Sequence, residues 1–272
     1  MTSQIRVTHL FVYPIKSLRG ISLEVAPVTP FGLRYDRRFM LVRPDGTFIT
    51  QRLHPELTVF DVEIGADRVV VTHPDGSSIR IPVTGGAALN IRATVWDDVV
   101  DASVGFQEAD SFFSDHMHEP LRLAWMLETT RRQTDLTHSQ EGDRVSFADG
   151  YPILLVGQPS MDDLNRRLEI PLPINRFRPN IVVEGCDPWS EDSWTHVEMP
   201  GAALRLVKKC CRCVVTTTDQ RSGERSKEPL ATLAIFRKEG NKVWFGMNCI
   251  PDSIPKEGDT VEIRVGDRVI AS

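Results

Sequence analysis

Three thiols and a guanidinium crowd one short stretch of this sequence, Cys210-Cys211-Arg212-Cys213, followed by Val214-Val215-Thr216-Thr217-Thr218-Asp219. Thiolates ligate soft metals, carry electron pairs or attack electrophiles, so this is the densest chemical signal in the chain. Cys210 and Cys213 have the spacing of half a zinc site, but the other half is missing. Cys186 and Cys249 stand alone, and none of His9, His54, His73, His116, His118, His138 or His196 neighbours the cluster. A redox CxxC belongs at a helix N-terminus, whereas the β-branched run after Cys213 predicts a strand at 214–218. For Cys210 and Cys211 the plain reading is that of small buried hydrophobes; Cys213 is the thiol to which chemistry is assigned below.

Cations accompany the thiols at intervals. Tyr13-Pro14-Ile15-Lys16-Ser17 places an ammonium beside a hydroxyl, a pairing that suits phosphate. Asp36-Arg37-Arg38-Phe39 and Asn175-Arg176-Phe177-Arg178-Pro179-Asn180 each put two guanidiniums just before an apolar strand, where alternation sends one inward and one outward. The inward set is read as Lys16, Arg38, Arg178 and Arg212. Gathered at the rim of a sheet, these four would balance an anionic ligand; arginine–carboxylate pairs inside the protein are the competing explanation.

The elements that must position them are mostly strands. Alternating or β-branched runs predict strands at 7–13, 22–28, 38–43, 47–50, 69–72 and 78–82, with Pro44-Asp45-Gly46 and His73-Pro74-Asp75-Gly76 as hairpin turns. Further strands are expected at 180–183, 204–207, 243–247 and 261–265. A helix fits 107–117, with Ala109, Phe112, Phe113 and Met117 on one face. A second starts at Ser160, capped by its hydroxyl with Asp163 answering and with Leu164 and Leu168 buried. The polar stretch 128–143 reads as an exposed loop. Closely spaced hairpins give a mainly β (α+β) fold of curled sheets or barrels, dividing near residue 120 into units 1–120 and 121–272.

Bulk properties narrow the partners. With 41% hydrophobic residues in 272, the chain can bury a full core. A net charge of -5 argues against nucleic acid, which demands a basic face. The start of the sequence lacks a secretory pattern, and no apolar run approaches the roughly 20 residues that cross a bilayer. No membrane partner is therefore expected. Five cysteines, four of them between residues 210 and 249, do not form a disulfide framework, so a reduced, cytoplasmic protein is expected.

Taken in order, these blocks resemble the MOSC-domain proteins, close to the mitochondrial amidoxime-reducing component and its bacterial YcbX-type relatives. The resemblance runs through the Lys16-Ser17 block, Arg38-Phe39-Met40-Leu41-Val42, Phe177-Arg178-Pro179-Asn180, Gly185-Cys186-Asp187 with Glu191-Asp192-Ser193-Trp194, and Cys210-Cys211-Arg212-Cys213 with Glu228-Pro229-Leu230. It implies an N-terminal MOSC-type β-barrel domain followed by a MOSC domain, with a molybdenum cofactor of molybdopterin type, not pyridoxal phosphate, held between them. By position, Cys213 would ligate the metal, and Lys16, Ser17, Arg38, Arg178 and Arg212 would hold the phosphate and pterin. Asp187 would relay protons, while Cys186 receives no ligand role. The implied activity is reduction of small N-hydroxylated substrates, such as amidoximes, hydroxylamines and N-hydroxylated bases, to amines. The cysteine spacing of an iron–sulfur cluster is missing, so electrons are expected from a separate donor protein, a ferredoxin or a flavin/iron–sulfur reductase. The alternative is a sulfur or cofactor carrier without turnover of its own.

Overall fold

In the computed structural model, which describes residues 4–83, 89–252 and 261–272, the chain is mainly β, with three α-helices among the described residues: α1 (Gln107–Met117), α2 (Gln158–Asn165) and α3 (Leu230–Phe236). The largest sheet has nine strands. Its principal order is Ile270–Ala271, His196–Met199, Ala202–Cys211, Lys242–Pro251, Ile153–Gly157, Ile181–Glu184, Arg6–Val12 and Ile21–Leu23, with Lys238–Glu239 pairing off the path. One pairing is parallel, between Ile153–Gly157 and Ile181–Glu184; α2 lies in the connection, as parallel neighbours require a crossover. Among the described residues, three smaller sheets of four, three and three strands accompany it. Among the described residues the pairings do not run round to close a barrel.

The first strand ties the two ends of the chain together. Arg6–Val12 buries Val7, Leu10 and Val12, and pairs antiparallel with Ile181–Glu184 on one side and Ile21–Leu23 on the other. Its end therefore delivers residues 13–17 beside residues 177–180, more than 150 positions away.

The strand Ile153–Gly157 is buried along its whole length because both faces are covered. Ile153 and Leu155 join the cluster of Val7, Leu10, Ile181, Val183 and Leu204, whereas Leu154 and Val156 join Met161 and Leu164 of α2, Leu233 of α3, Phe177 and Phe245. The period of two sorts neighbouring residues into two cores.

The expected strands at 7–13, 69–72 and 78–82 are present within a residue or so, and α1 occupies 107–117 as read. The run 22–28 divides into Ile21–Leu23 and Val25–Thr29, which enter different sheets. Residues 47–50 form only isolated bridges, Phe48 to Val42 and Thr47 to Thr94. Ser160 does not cap α2. The helix begins at Gln158 with Pro159 in its first turn, where the missing N–H costs nothing. The Ser160 hydroxyl, inside the helix, donates instead to Glu191 Oε2 at 2.8 Å and accepts from the Trp189 amide at 2.7 Å.

Glu191 is thus a buried anchor, accepting also from the Gly157 amide at 3.1 Å. Burial raises its pKa, opposed by the Ser160 hydroxyl. A carboxyl whose folded pKa is raised contributes stability that is fully present below its unfolded value and lost as pH rises through the folded one. In Glu191→Gln this loss disappears. Urea melts should therefore show the wild type losing stability relative to the variant as pH rises above about 4.5; Glu191→Ala, which leaves buried donors unpaired, should cost about 2–4 kcal/mol at any pH in that range.

Candidate functional site

A cleft opens where residues 13–17, 50–52 and 96 from the first half of the chain meet residues 148–151, 177–180 and 210–213 from the second. Its lining carries five cations, Lys16, Arg37, Arg52, Arg178 and Arg212, against one carboxylate, Asp149. Concentrating positive charge in a concave wall raises the local attraction for anions although the chain as a whole is negative.

Lys16 leaves the first strand on a backbone tied to its neighbour, its amide donating to Phe39 O at 2.8 Å. Its side chain is 6% exposed, and its Nζ donates to Phe147 O at 2.7 Å and to Asp149 Oδ1 at 2.5 Å. Burial lowers the Lys16 pKa, with Asp149 opposing. For Asp149 burial acts upward, yet Lys16, with Arg52 behind it, holds the carboxyl well below the usual range. The side chain remains 58% exposed by area, so this pair positions an ammonium more than it stabilises the fold.

Arg37 and Arg178 both rest against the Tyr13 ring, with guanidinium carbons 4.0 and 4.2 Å from its centre. Tyr13 is buried and donates to Pro179 O at 3.0 Å; burial pushes its pKa up to about 12, so it remains a neutral phenol. Gly20 leaves room for the ring, since a Cβ there would stand 2.3 Å from Tyr13 Cε1. Arg37 Nη1 donates to buried Asp36 at 2.6 Å. Among the described residues the Arg178 guanidinium has one acceptor, the Gln220 side chain at 3.1 Å, and burial followed by Arg37 lowers its pKa to about 10.

Strain is concentrated here. Ser17, Arg37, Trp96 and Arg178 all line the cleft and all have positive φ, at 74°, 48°, 56° and 54°. Each such non-glycine residue costs on the order of 1 kcal/mol, and such conformations cluster at functional sites.

The thiol wall comes from the end of Ala202–Cys211, which pairs with Lys242–Pro251 as far as Cys211 opposite Trp244. Beyond it Arg212 donates through Nη2 to Phe177 O at 2.6 Å and through Nη1 to Cys210 Sγ at 2.9 Å. Burial raises the Cys210 pKa, with Arg212 opposing. The strand expected at 214–218 is instead a 3₁₀ turn, Val214–Thr217. Thr216 and Thr217 return their hydroxyls to the carbonyls of Cys213 and Val214 at 3.0 and 2.8 Å, and this local bonding overrides the β preference of the run. Cys213 sits at the head of that turn, in the cleft lining.

Lys16, Ser17, Arg178, Arg212 and Cys213 therefore share one cleft. Arg38 does not line it: it stacks on Phe31 and Trp125, donates to Met126 O at 2.7 Å and pairs with Glu128. The neighbouring Arg37 lines it instead, because residue 37 precedes the strand Phe39–Val42 and its left-handed backbone breaks the alternation. Asp187 lies outside the lining too, exposed in the turn after Ile181–Glu184, its carbonyl accepting from Ser190. Cys186 is half-buried against the main core. Asp149 and Trp96 carry no sequence motif that singles them out, and Tyr13 opens a block whose reading rests on Lys16 and Ser17 alone.

Three buried polar atoms on lining residues have no hydrogen-bond partner among the described residues: Arg178 Nη2, Arg212 Nε and Tyr151 Oη. Unpaired buried donors beside a thiol call for an acceptor-rich anion, and a phosphorylated, carbonyl-bearing pterin whose metal takes a soft thiolate ligand would fit that demand.

The fold and the cleft thus define a mainly β protein with a cationic, thiol-bearing anion site. The model of the MOSC N-terminal beta barrel domain matches residues 4–120, and that of the MOSC domain matches residues 142–270. The chain belongs to the MOSC-domain proteins. It is 31% identical to mitochondrial amidoxime-reducing component 1 of Danio rerio, over 85% of this chain and 74% of that protein, and 31% identical to the Mus musculus protein of the same name, over 85% and 71%. It is 29% identical to molybdenum cofactor sulfurase of Oryza sativa subsp. japonica over 99% of its own length, but spans 36% of that longer relative.

An anion site of this make-up has a direct test. Inorganic phosphate should raise the melting temperature of cofactor-free protein, an effect that weakens with ionic strength. Arg178→Ala should reduce the apparent phosphate affinity about tenfold, the order expected for one charge-assisted contact of roughly 1.5 kcal/mol; an unchanged phosphate response would remove Arg178 from the anion site.

Proposed function

We propose that this protein is a molybdenum-cofactor-dependent oxidoreductase that reduces N-hydroxylated compounds, among them amidoximes, hydroxylamines and N-hydroxylated bases, to amines. The observation that carries the reading is the cleft itself, in which five cations, unpaired guanidinium and phenol groups and the Cys213 thiol converge. Relatives at about this identity are named amidoxime-reducing components, which supports the same class. When bound, the cofactor supplies a two-electron redox centre and a Lewis acid.

The roles of the chain follow from its chemistry. Cys213 gives the metal one thiolate. Lys16, Ser17, Arg178 and Arg212, joined by Arg37, hold the phosphate and pterin, and Arg38 supports them from the neighbouring sheet. Asp149, kept ionised by Lys16, fixes the ammonium and is not a proton source near neutral pH. To Asp187, in contact with solvent, we assign proton delivery. Overall, an N–OH group takes two electrons and two protons to leave an N–H group and water. Units 1–120 and 121–272 would each form one wall of the cleft, with a ferredoxin or a flavin/iron–sulfur reductase supplying the electrons. We place the protein in the cytoplasm; among the described residues no helix is long and apolar enough to cross a membrane.

Turnover of benzamidoxime by metal-loaded protein with an artificial reductant tests the reading. Cys213→Ser should lower kcat at least 100-fold, because the thiolate sets the metal's electronic state; equal turnover by wild type and variant would refute the mechanism, and no turnover by a fully loaded wild type would favour the carrier.

A further inference from the structure

The hairpin turn 73–77 and the last turn of α1 bring together a second group of potential ligands, separate from the cleft. His73 Nδ1 lies 3.2 Å from Asp75 Oδ1, His116 Nε2 lies 3.1 Å from Asp75 Oδ2, and ligand atoms of all three residues lie within 4.8 Å of one another. The two rings stand 4.1 Å apart, centre to centre.

Proton counting shows what the cluster is short of. His116 Nδ1 is 2.7 Å from Phe112 O, and since a carbonyl only accepts, that nitrogen carries the proton. Nε2 of neutral His116 then presents a lone pair to Asp75. His73 Nδ1 accepts from the Asp75 amide at 3.4 Å, so it too carries a lone pair and no hydrogen beside the carboxylate. The Ser77 hydroxyl lies 2.6 Å from Asp75 Oδ1 and 3.0 Å from His116 Nε2, and its single proton serves one of them. The Ser77 amide donates to the same Asp75 Oδ1 at 2.8 Å, leaving Oδ2 to face His116. Two imidazole nitrogens and a carboxylate thus converge with only hydrogens of the turn itself, from Asp75 and Ser77, among them, an arrangement that a cation completes.

We propose that His73, Asp75 and His116 form a zinc-binding site that staples the hairpin of Arg68–Thr72 and Ser78–Pro82 to the C-terminal end of α1. A tetrahedral zinc with bonds of about 2.0–2.1 Å has ligand edges near 3.3 Å, close to both short separations. Two imidazoles and a carboxylate are zinc's own donor set, and three protein ligands leave a position for water. The His116 Nδ1–H bond to a backbone carbonyl is the outer-shell contact that orients a ligating ring. Asp75, its side chain 53% exposed, leaves an entry path, while the histidine side chains at 25% and 14% are held against Phe60 and Phe112. The site also lies at the end of an 11-residue helix, where the backbone dipole favours a cation.

Zinc titration of the full-length, cofactor-loaded protein by calorimetry, with cobalt(II) spectra alongside, decides the matter. One zinc per chain is expected with micromolar or tighter affinity, weakened at least tenfold in both Asp75→Asn and His116→Gln, with weak cobalt d–d bands and no thiolate-to-cobalt charge transfer. Asparagine suits the same turn, so Asp75→Asn should melt with the wild type when zinc is withheld, and that comparison separates ligand loss from misfolding. No zinc uptake by the wild type, unchanged affinity in Asp75→Asn, or a thiolate charge-transfer band that reports capture by the cysteines would each overturn the proposal.

Discussion

Like charges held against one aromatic ring are what the rest of the molecule has to accommodate. Arg37 and Arg178 share the Tyr13 ring, Lys16 and Arg212 stand in the same lining, and a protein interior offers such a group little solvation. The chain answers part of the demand itself. Buried Asp36 pairs with Arg37, Asp149 pairs with Lys16, Gln220 and the Phe177 carbonyl take one donor each, and Gly20 clears the space that the ring needs. What is left over is specific: unpaired donors on Arg178 and Arg212, and four lining residues in left-handed backbone. A ligand rich in acceptors would satisfy those donors and offset the strain.

Topology makes this gathering possible. The strand Arg6–Val12 pairs with Ile181–Glu184, which fixes residues 13–17 next to Arg178. The pairing of Ala202–Cys211 with Lys242–Pro251 ends at Cys211, and the Arg212 guanidinium then bonds Phe177 O, so the thiol wall is locked to the same loop. The 3₁₀ turn that follows places Cys213 at its head, where a strand would have carried the chain onward. Arg176, in a second 3₁₀ turn at Ile174–Phe177, ties that turn to Val214–Thr217 through Thr217 O and Asp219.

Much of this was legible in the residues because it depends on local pattern. Period-two alternation marks the strands at 7–13, 69–72 and 78–82, the 3.6-residue period marks α1, and a cation beside a hydroxyl, a cation pair ahead of an apolar run and a guanidinium among thiols mark Lys16, Arg178 and Arg212 as residues that converge. Where competing local bonds decide, pattern misleads: Thr216 and Thr217 turn a β-branched run into a 3₁₀ turn, and Ser160 bonds Glu191 from within a helix it was expected to cap. Arg38 is buried, as the alternation predicts, but against Phe31 and Trp125, whereas Arg37, in left-handed backbone that alternation does not describe, reaches the cleft. Asp149 meets Lys16, and the turn carrying His73 and Asp75 meets His116, only through long-range packing, which no window of sequence displays.

The most direct test of the central claim is the molybdenum and pterin content of protein purified from a host that makes the cofactor, measured for wild type and Cys213→Ser side by side. Near-stoichiometric metal and pterin in the wild type, with metal lost or made labile in the variant, is the expected result. Wild type free of both, or metal held equally well without the Cys213 thiol, would contradict a thiolate-ligated cofactor in this cleft.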